Sequence, residues 1–380
     1  MTFYRNPWAR WAALGCLLIM ITACKPNPQD DIPYFQAFIQ ENSHRIADDP
    51  YISSTVRPGD KMYEILVNIQ HRKWDLAEQG LLPLIEEENS DAMVWYALML
   101  LLDHNKRREV THLFYQSLAL GNPYAALSLS KGSYACAYLG SGTLSSQVAK
   151  SLGIDDPSAQ KICTDDYYAR AVELFKPLAS KGDLRAQYFL LQQKQWDQST
   201  KTREQYLNEV IRFAKAHYYQ PLMDYIDTIL TKKELRAQLR SESEELEAMA
   251  VSLLTIAAQY NYTPAINKLI DYNKKQININ DGLFEQGIKL GSTKTISRKY
   301  TLFTDFVDLY PSQEQYFDAL LFKKLADNNR LIEFFEFDGL KLADKEKKAI
   351  EDDVDTFIKT ITPMVYIDGF THRRNWVEQP

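Results

Sequence analysis

A chain of 380 residues, 45% hydrophobic and 25% charged, has enough apolar material for a sizeable core and lacks the composition of a disordered segment. Its formal charge of −6, from 44 Lys and Arg against 50 Asp and Glu, argues against a nucleic-acid surface. Such a charge fits a basic protein partner or ordinary solubility.

Arg5 and Arg10 precede and open an apolar run from Trp11 to Ile21, which leads into Ile21-Thr22-Ala23-Cys24. A basic flank, a short apolar core and small residues before a cleavage point make an export signal, and the core is short for a membrane span. The last four residues resemble the lipobox of bacterial lipoproteins: a branched apolar residue, two small residues, then the acylated cysteine. That resemblance implies a signal peptide over residues 1–23, cleavage before Cys24, and lipidation of Cys24 as the new amino terminus. In such lipoproteins an aspartate after the cysteine directs retention in the inner membrane. Lys25 stands there instead, which implies outer-membrane attachment facing the periplasm. Several acyl chains on one cysteine anchor more firmly than the single chain that binds only marginally. An ordinary secretory signal with a chance cysteine, or an uncleaved anchor, is the alternative. Removing Arg5 and Arg10 with the signal moves the formal charge from −6 to −8. Residues 24–33, with Pro26, Pro28 and Pro33, read as a lipidated, extended tether.

Residues 34–48 are predicted as a first helix, and Pro50 to Gly59 as a turn-rich break. From Asp60 the helical period places Met62, Ile65, Leu66 and Ile69 on one face, followed by Trp74, Leu81, Leu84 and Ile85. Asp91 to Leu102 is apolar all round and is expected to be buried between neighbours. Gly121-Asn122-Pro123 ends one helix and starts its partner, with glycine past an end and proline near a beginning. Repeats run on from Tyr167 to about Tyr300, and the charged stretch 231–249 is predicted to be a solvated helix. Beyond Tyr300 the apolar period continues through Phe306, Leu309, Phe317, Leu320, Leu321 and Leu325 to Leu331–Phe337, as capping helices. The tail from Pro363, with Phe370, Arg373, Arg374 and Trp376, either docks back on the array or reaches a partner, burial being the default.

Residues 131–165 interrupt this pattern with Gly132, Gly140, Gly142, Gly153 and a serine-rich run. An insertion of that length in a repeat array is either a partner-contacting element or a piece packed on its side. Cys16 leaves with the signal and Cys24 takes the lipid, so Cys136 and Cys163 remain in an oxidising compartment and read as a disulfide, with two separate buried thiols as the alternative.

One phrase recurs. Taking Gly182 in Leu178-Ala179-Ser180-Lys181-Gly182-Asp183-Leu184-Arg185-Ala186 as a turn, equivalent turns fall at Glu88, Gly121, Tyr218, Asn261 and Gly291. Large apolar pairs such as Leu113-Phe114, Leu174-Phe175 and Leu253-Leu254 lie seven or eight residues before the turn. Four residues after it come Ala92, Ala125, Ala186, Leu222, Ala265 and Thr295. The phrase resembles the Sel1-like repeat, a relative of the tetratricopeptide repeat, over about residues 75–300. The resemblance implies an all-α fold, an α-solenoid of helix-turn-helix repeats over 34–300 with the insertion at 131–165, and a carboxyl-terminal helical cap over 301–380.

No spacing for catalysis is present: no Gly-x-Ser-x-Gly, no His-Glu-x-x-His and no phosphate loop ending in Gly-Lys-Ser/Thr. Gly140-Ser141-Gly142-Thr143 lacks the lysine of a phosphate cradle, and His104 and His112 share a helix face only if no turn intervenes, so no metal site is assigned. The tyrosine pairs Tyr167-Tyr168, Tyr218-Tyr219 and Tyr260 with Tyr262 suit gaps between helices or a contact surface. The chain therefore reads as a non-enzymatic binding protein without a cofactor. Envelope lipoproteins with Sel1-like repeats are similar to periplasmic immunity proteins of type VI secretion phospholipase effectors, which implies a secreted antibacterial phospholipase as partner. An envelope scaffold organising other periplasmic proteins is the alternative within the same frame, and an enzyme with an unmotifed site is a third reading.

Overall fold

The computed structural model describes residues 26–141, 143–153, 162–230, 244–274, 277–306, 308–337 and 339–377. The predicted signal peptide and Cys24 lie outside the described residues, as does most of the charged stretch 231–249. Among the described residues the chain is all-helical, without a strand; Ser130 and Thr164 form one isolated bridge. It divides into two compact units, Met1–His44 with Tyr188–Ile256, and Arg45–Gln187 with Ala257–Pro380.

In the first unit the expected extended tether ends early. Asn27 Oδ1 accepts from the Gln29 N–H, capping a 3-10 turn over Pro28–Asp31, and the helix Ile32–Asn42 follows directly. Pro28 and Pro33 therefore sit at helix starts, where their missing N–H costs nothing. The buried Asp31 carboxylate fixes this start. It accepts from Arg203 Nε at 3.1 Å and Nη2 at 2.5 Å, and from the Tyr225 hydroxyl at 2.9 Å. Removing one partner of such a buried pair costs about 3–5 kcal/mol, because the other charge is left without compensation. Phe35 packs on Tyr225 at 4.9 Å between ring centroids, so helix Ile32–Asn42 is held against Arg203–Lys215 and Gln220–Leu230.

Helix ends recur in one form. Arg72, Glu88, Gly121, Gly182, His217, Asn261 and Gly291 all adopt positive φ. In each case the next residue's N–H returns to the carbonyl five residues back, as in Asn89 to Leu84, Asn122 to Ser117, Asp183 to Leu178 and Ser292 to Gly287, at 2.9–3.1 Å. This is the Schellman closure, which satisfies carbonyls that the helix end leaves free. Where that residue is Asn, Asp or Ser it also caps the following helix: Asn89 accepts from Ala92 N–H, Asp183 from Ala186 and Ser292 from Thr295, at 2.9–3.1 Å. Glycine takes the left-handed position in three of the seven; the other residues adopt it at roughly 1–2 kcal/mol each.

The left-handed residue sets the packing register. Seven positions before it stand Leu81, Phe114, Phe175, Val210, Leu254 and Phe284, all at most 2% exposed. Ala92, Ala125, Ala186, Leu222, Ala265 and Thr295 are fully buried. One turn departs from the sequence register: His217 rather than Tyr218 is left-handed, and an extra residue precedes the buried Tyr219, whose carbonyl takes the first bond of the next helix from Met223. Gly287 has a separate reason to lack a side chain, since a Cβ there would collide with Thr295. The apolar helix Ser90–Leu100 buries Ala92 through Ala97 around its whole circumference, as its composition predicts. Phe306 and Leu309 differ from expectation: both are exposed, and Tyr310 is the buried member of that loop.

In the second unit the last helix, Asp344–Ile358, gives way to an extended strap that packs back on its own unit. Thr362 and Met364 N–H donate to the Lys289 and Leu290 carbonyls at 2.9 and 3.1 Å. Gln70 then grips the strap's backbone from both sides: Nε2 donates to the Met364 carbonyl at 3.0 Å, and Oε1 accepts from the Tyr366 N–H at 2.9 Å. The Thr55 N–H donates to Val365 O, and its hydroxyl to Ile367 O at 2.7 Å. Met364, Val365, Ile367 and Trp376 are essentially inaccessible, and full burial of a Val, Ile or Met side chain stabilises by about 1.5–3 kcal/mol.

His71, beside Gln70, is buried with Nε2 2.8 Å from the Gly291 carbonyl oxygen, so that nitrogen carries the ring proton and donates. Burial lowers its pKa to about 4. The unfolded chain, titrating near 6.5, binds the proton more readily, so this site's contribution is intact above pH 6.5 and is lost as the pH falls towards 4. The loss is on the order of 3 kcal/mol. Thermal unfolding followed by circular dichroism at pH 7 and pH 4.5 should show a larger drop in Tm for the wild type than for His71→Gln. An equal drop in both would contradict this assignment.

Candidate functional site

Three sets of contacts order the insertion within the second unit. Cys136 and Cys163 are joined as a disulfide with their Cα atoms 5.6 Å apart, within the range a bridge requires. Beside it, the Lys131 N–H donates to Thr164 O at 3.2 Å and the Cys163 N–H to Leu129 O at 2.8 Å. Third, the buried Arg107 guanidinium donates to the carbonyls of Tyr138 and Leu139, the latter at 3.0 Å, closing the short helix Cys136–Leu139. Gly140 lies against the bridge, where a Cβ would stand 3.2 Å from Cys163 Sγ, and Thr143 caps the helix Leu144–Ser151 through the Ser146 N–H. The Gly140–Thr143 segment thus has a structural duty at both ends, while Gly142 lies outside the described residues.

That helix turns Ser145 and Ala149 inwards and leaves Leu144 and Leu152 exposed. Ser145 Oγ and His104 Nδ1 are 2.9 Å apart. His104 belongs to a separate 3-10 turn, so it does not share a helix with His112.

The strap meets the insertion on its other side. Phe370 packs on Tyr124 and Phe175 at 4.9 and 5.1 Å, Trp376 on Trp95 at 4.9 Å, and His372 edge-on to Tyr134 at 4.3 Å. A Cβ on Gly369 would collide with Tyr124, which is why the strap bends there without a side chain. Asp368 holds the bend by accepting from the Phe370 and Thr371 N–H groups at 3.0 Å. Between residues 127–135 and 369–376 lies a cleft of about 330 Å³ whose lining includes Lys131, Tyr134, Tyr168, His372, Arg373 and Trp376.

The cleft is cationic in an acidic chain. Among the described residues its lining holds Lys131 and Arg373 and no carboxylate. Arg373 Nη2 donates to the Met99 carbonyl at 2.9 Å, whereas Nη1 is buried without a hydrogen-bond partner, and burial lowers the guanidinium pKa. His372 accepts the Arg374 N–H on Nδ1 at 3.2 Å, so its neutral ring carries the proton on Nε2; burial and the nearby Arg374 lower its pKa. Burial, with the Tyr138 hydroxyl 3.3 Å away, pushes Tyr134 up to about 12. Lys131 reaches Asp165 at 3.4 Å in an exposed pair, a contact of little energetic weight.

Sequence reasoning selected the insertion and the tail as separate contact candidates; what it missed is that they meet, and that Tyr134 and His372 form the seam. The paired tyrosines divide differently: Tyr219, Tyr260 and Tyr262 are core, and Tyr168 lines the cleft. Among the described residues no group of three or more His, Cys, Asp or Glu is arranged to hold a metal.

The bridge closes a loop with a sequence separation of 27, worth roughly 3 kcal/mol by chain entropy. Titration of the denatured chain should find two more thiols after reduction than before, and the reduced protein should melt at lower temperature. Both thiols free before reduction would contradict the bridge. No family model matches the chain, and no curated protein or solved structure matches it either.

Proposed function

We propose that this chain is a periplasm-facing lipoprotein, anchored through Cys24 in the outer membrane, that neutralises a secreted antibacterial effector of the phospholipase class by binding it. Its body is an α-solenoid of degenerate Sel1-like repeats closed by carboxyl-terminal helices, and it performs no catalysis of its own. The lipobox-like Ile21-Thr22-Ala23-Cys24 supports the location, and the recurring left-handed turns, followed at Ala92, Ala125, Ala186, Ala265 and Thr295 by a buried small residue, support the repeat reading.

The observation that carries the binding role is the convergence of insertion and strap on one cleft. The disulfide and Arg107 hold the insertion, while Gln70 and Thr55 hold the strap, so its aromatic and cationic groups are fixed before any partner arrives. A preordered surface binds without first losing conformational entropy. Aromatic and arginine side chains are also the groups that most often dominate interface energies.

An effector acting on phospholipid from the periplasm has to be met there. Expression of the full-length chain should therefore rescue cells that receive the cognate effector in the periplasm, and a version without residues 1–23 should not. Equal protection by the cytoplasmic version would contradict the mechanism.

A further inference from the structure

We infer that the cleft between residues 127–135 and 369–376 is the seat of an acidic peptide segment of the partner, with Arg373 as the counter-ion of one of its carboxylates. This rests on the reading of the chain as a protein-binding protein and adds the chemistry of what is bound.

The arrangement of Arg373 is the first support. A guanidinium offers five N–H donors in a planar fork. Here one nitrogen is used on the Met99 carbonyl, and Nη1 is out of solvent without an acceptor. A buried donor left without a partner carries its full desolvation cost, and an incoming carboxylate oxygen would relieve it with a charge-assisted bond. Among the described residues no ion pair reaches Arg373, and the Trp376 ring, 5.9 Å from its guanidinium carbon, supports it from one side.

The second support is the charge of the cleft as a whole. Lys131 adds a second cation, held only by its exposed pair with Asp165, and among the described residues no Asp or Glu lines the site, although the chain carries more acidic than basic residues. A larger cleft of about 630 Å³ near Arg72, Lys73, Lys323 and Lys324 contains Asp75 and Asp327, and so already answers its own cations. Backbone recognition is available too: Tyr134 and Tyr168 present rings beside which an extended segment can lie, and the His372 ring proton on Nε2 is a donor. The requirement is several carboxylates on a flexible backbone, which an acidic peptide supplies and a single small anion does not.

Calorimetric titration of the detergent-solubilised full-length chain with a hexaglutamate peptide tests this, with inorganic phosphate as the comparison. Hexaglutamate should bind, and Arg373→Gln should weaken it at least about tenfold, as expected for losing one partner of a desolvated charge pair. Lys131→Glu, on an exposed side chain that folding does not need, should weaken it as well and decides the matter if Arg373→Gln melts. Unchanged hexaglutamate affinity in the folded variants overturns the proposal. So does Arg373-dependent binding of phosphate without binding of hexaglutamate. Partner binding that both variants retain would sink the acidic-segment assignment and leave protein binding standing. Arg373-dependent hexaglutamate binding in a chain that gives no protection would support the cleft chemistry and sink the immunity reading.

Discussion

A helix that ends inside a packed protein leaves carbonyl groups without donors, and the helix that begins next leaves N–H groups without acceptors. This chain answers both needs with two adjacent residues. A left-handed residue lets the backbone fold over the finished helix, and its neighbour closes the Schellman bond and, as Asn89, Asp183 or Ser292, caps the new one. Because the reversal occupies so few residues, the two helices lie close. That closeness explains why the residue three places into the new helix is small and inaccessible at Ala92, Ala125, Ala186 and Ala265. It also explains why the partner side chain shrinks to nothing at Gly287 facing Thr295 and at Gly80 facing Ile65.

The strap obeys the same accounting by different means. Residues 362–367 are extended, with Met364, Val365 and Ile367 buried, but belong to no sheet, so side chains and helix-end carbonyls supply the bonds that strand neighbours would. Gln70 can do this because a primary amide offers a donor and an acceptor side by side, matching the carbonyl and N–H of a passing backbone. The Gly291 turn takes part twice: its carbonyl receives the His71 proton, and the space where a Cβ would stand abuts Pro363. Turn, histidine and strap therefore depend on one another.

Much of the fold was legible because it is local. Helix period, the glycine at Gly121, Gly182 and Gly291, and the alanines after the turns lie within a few residues of one another, and their physics is short-ranged. His217 shows the limit. A left-handed histidine followed by two tyrosines carries no turn signature as strong as glycine, so the sequence register slipped by one residue there. The tether was misjudged for a related reason: Pro28 and Pro33 suit an extended chain and a helix start equally, and what decides between them is Asp31 meeting Arg203, 172 residues away. The cleft was the least legible part. Tyr134 and His372 are far apart in sequence, and nothing in either segment names the other.

Fold and proposed role join at that cleft. A bridge and a buried arginine keep the described residues of 131–165 in place, and the strap brings a second arginine and its aromatics alongside. The most direct measurement is hydrogen exchange of the full-length chain, read by mass spectrometry with and without a purified effector of the proposed class. Slowed exchange on binding should concentrate in residues 127–135 and 369–376. Unchanged exchange in both segments, with protection gathered over the helices between 312 and 358, would contradict the proposed role.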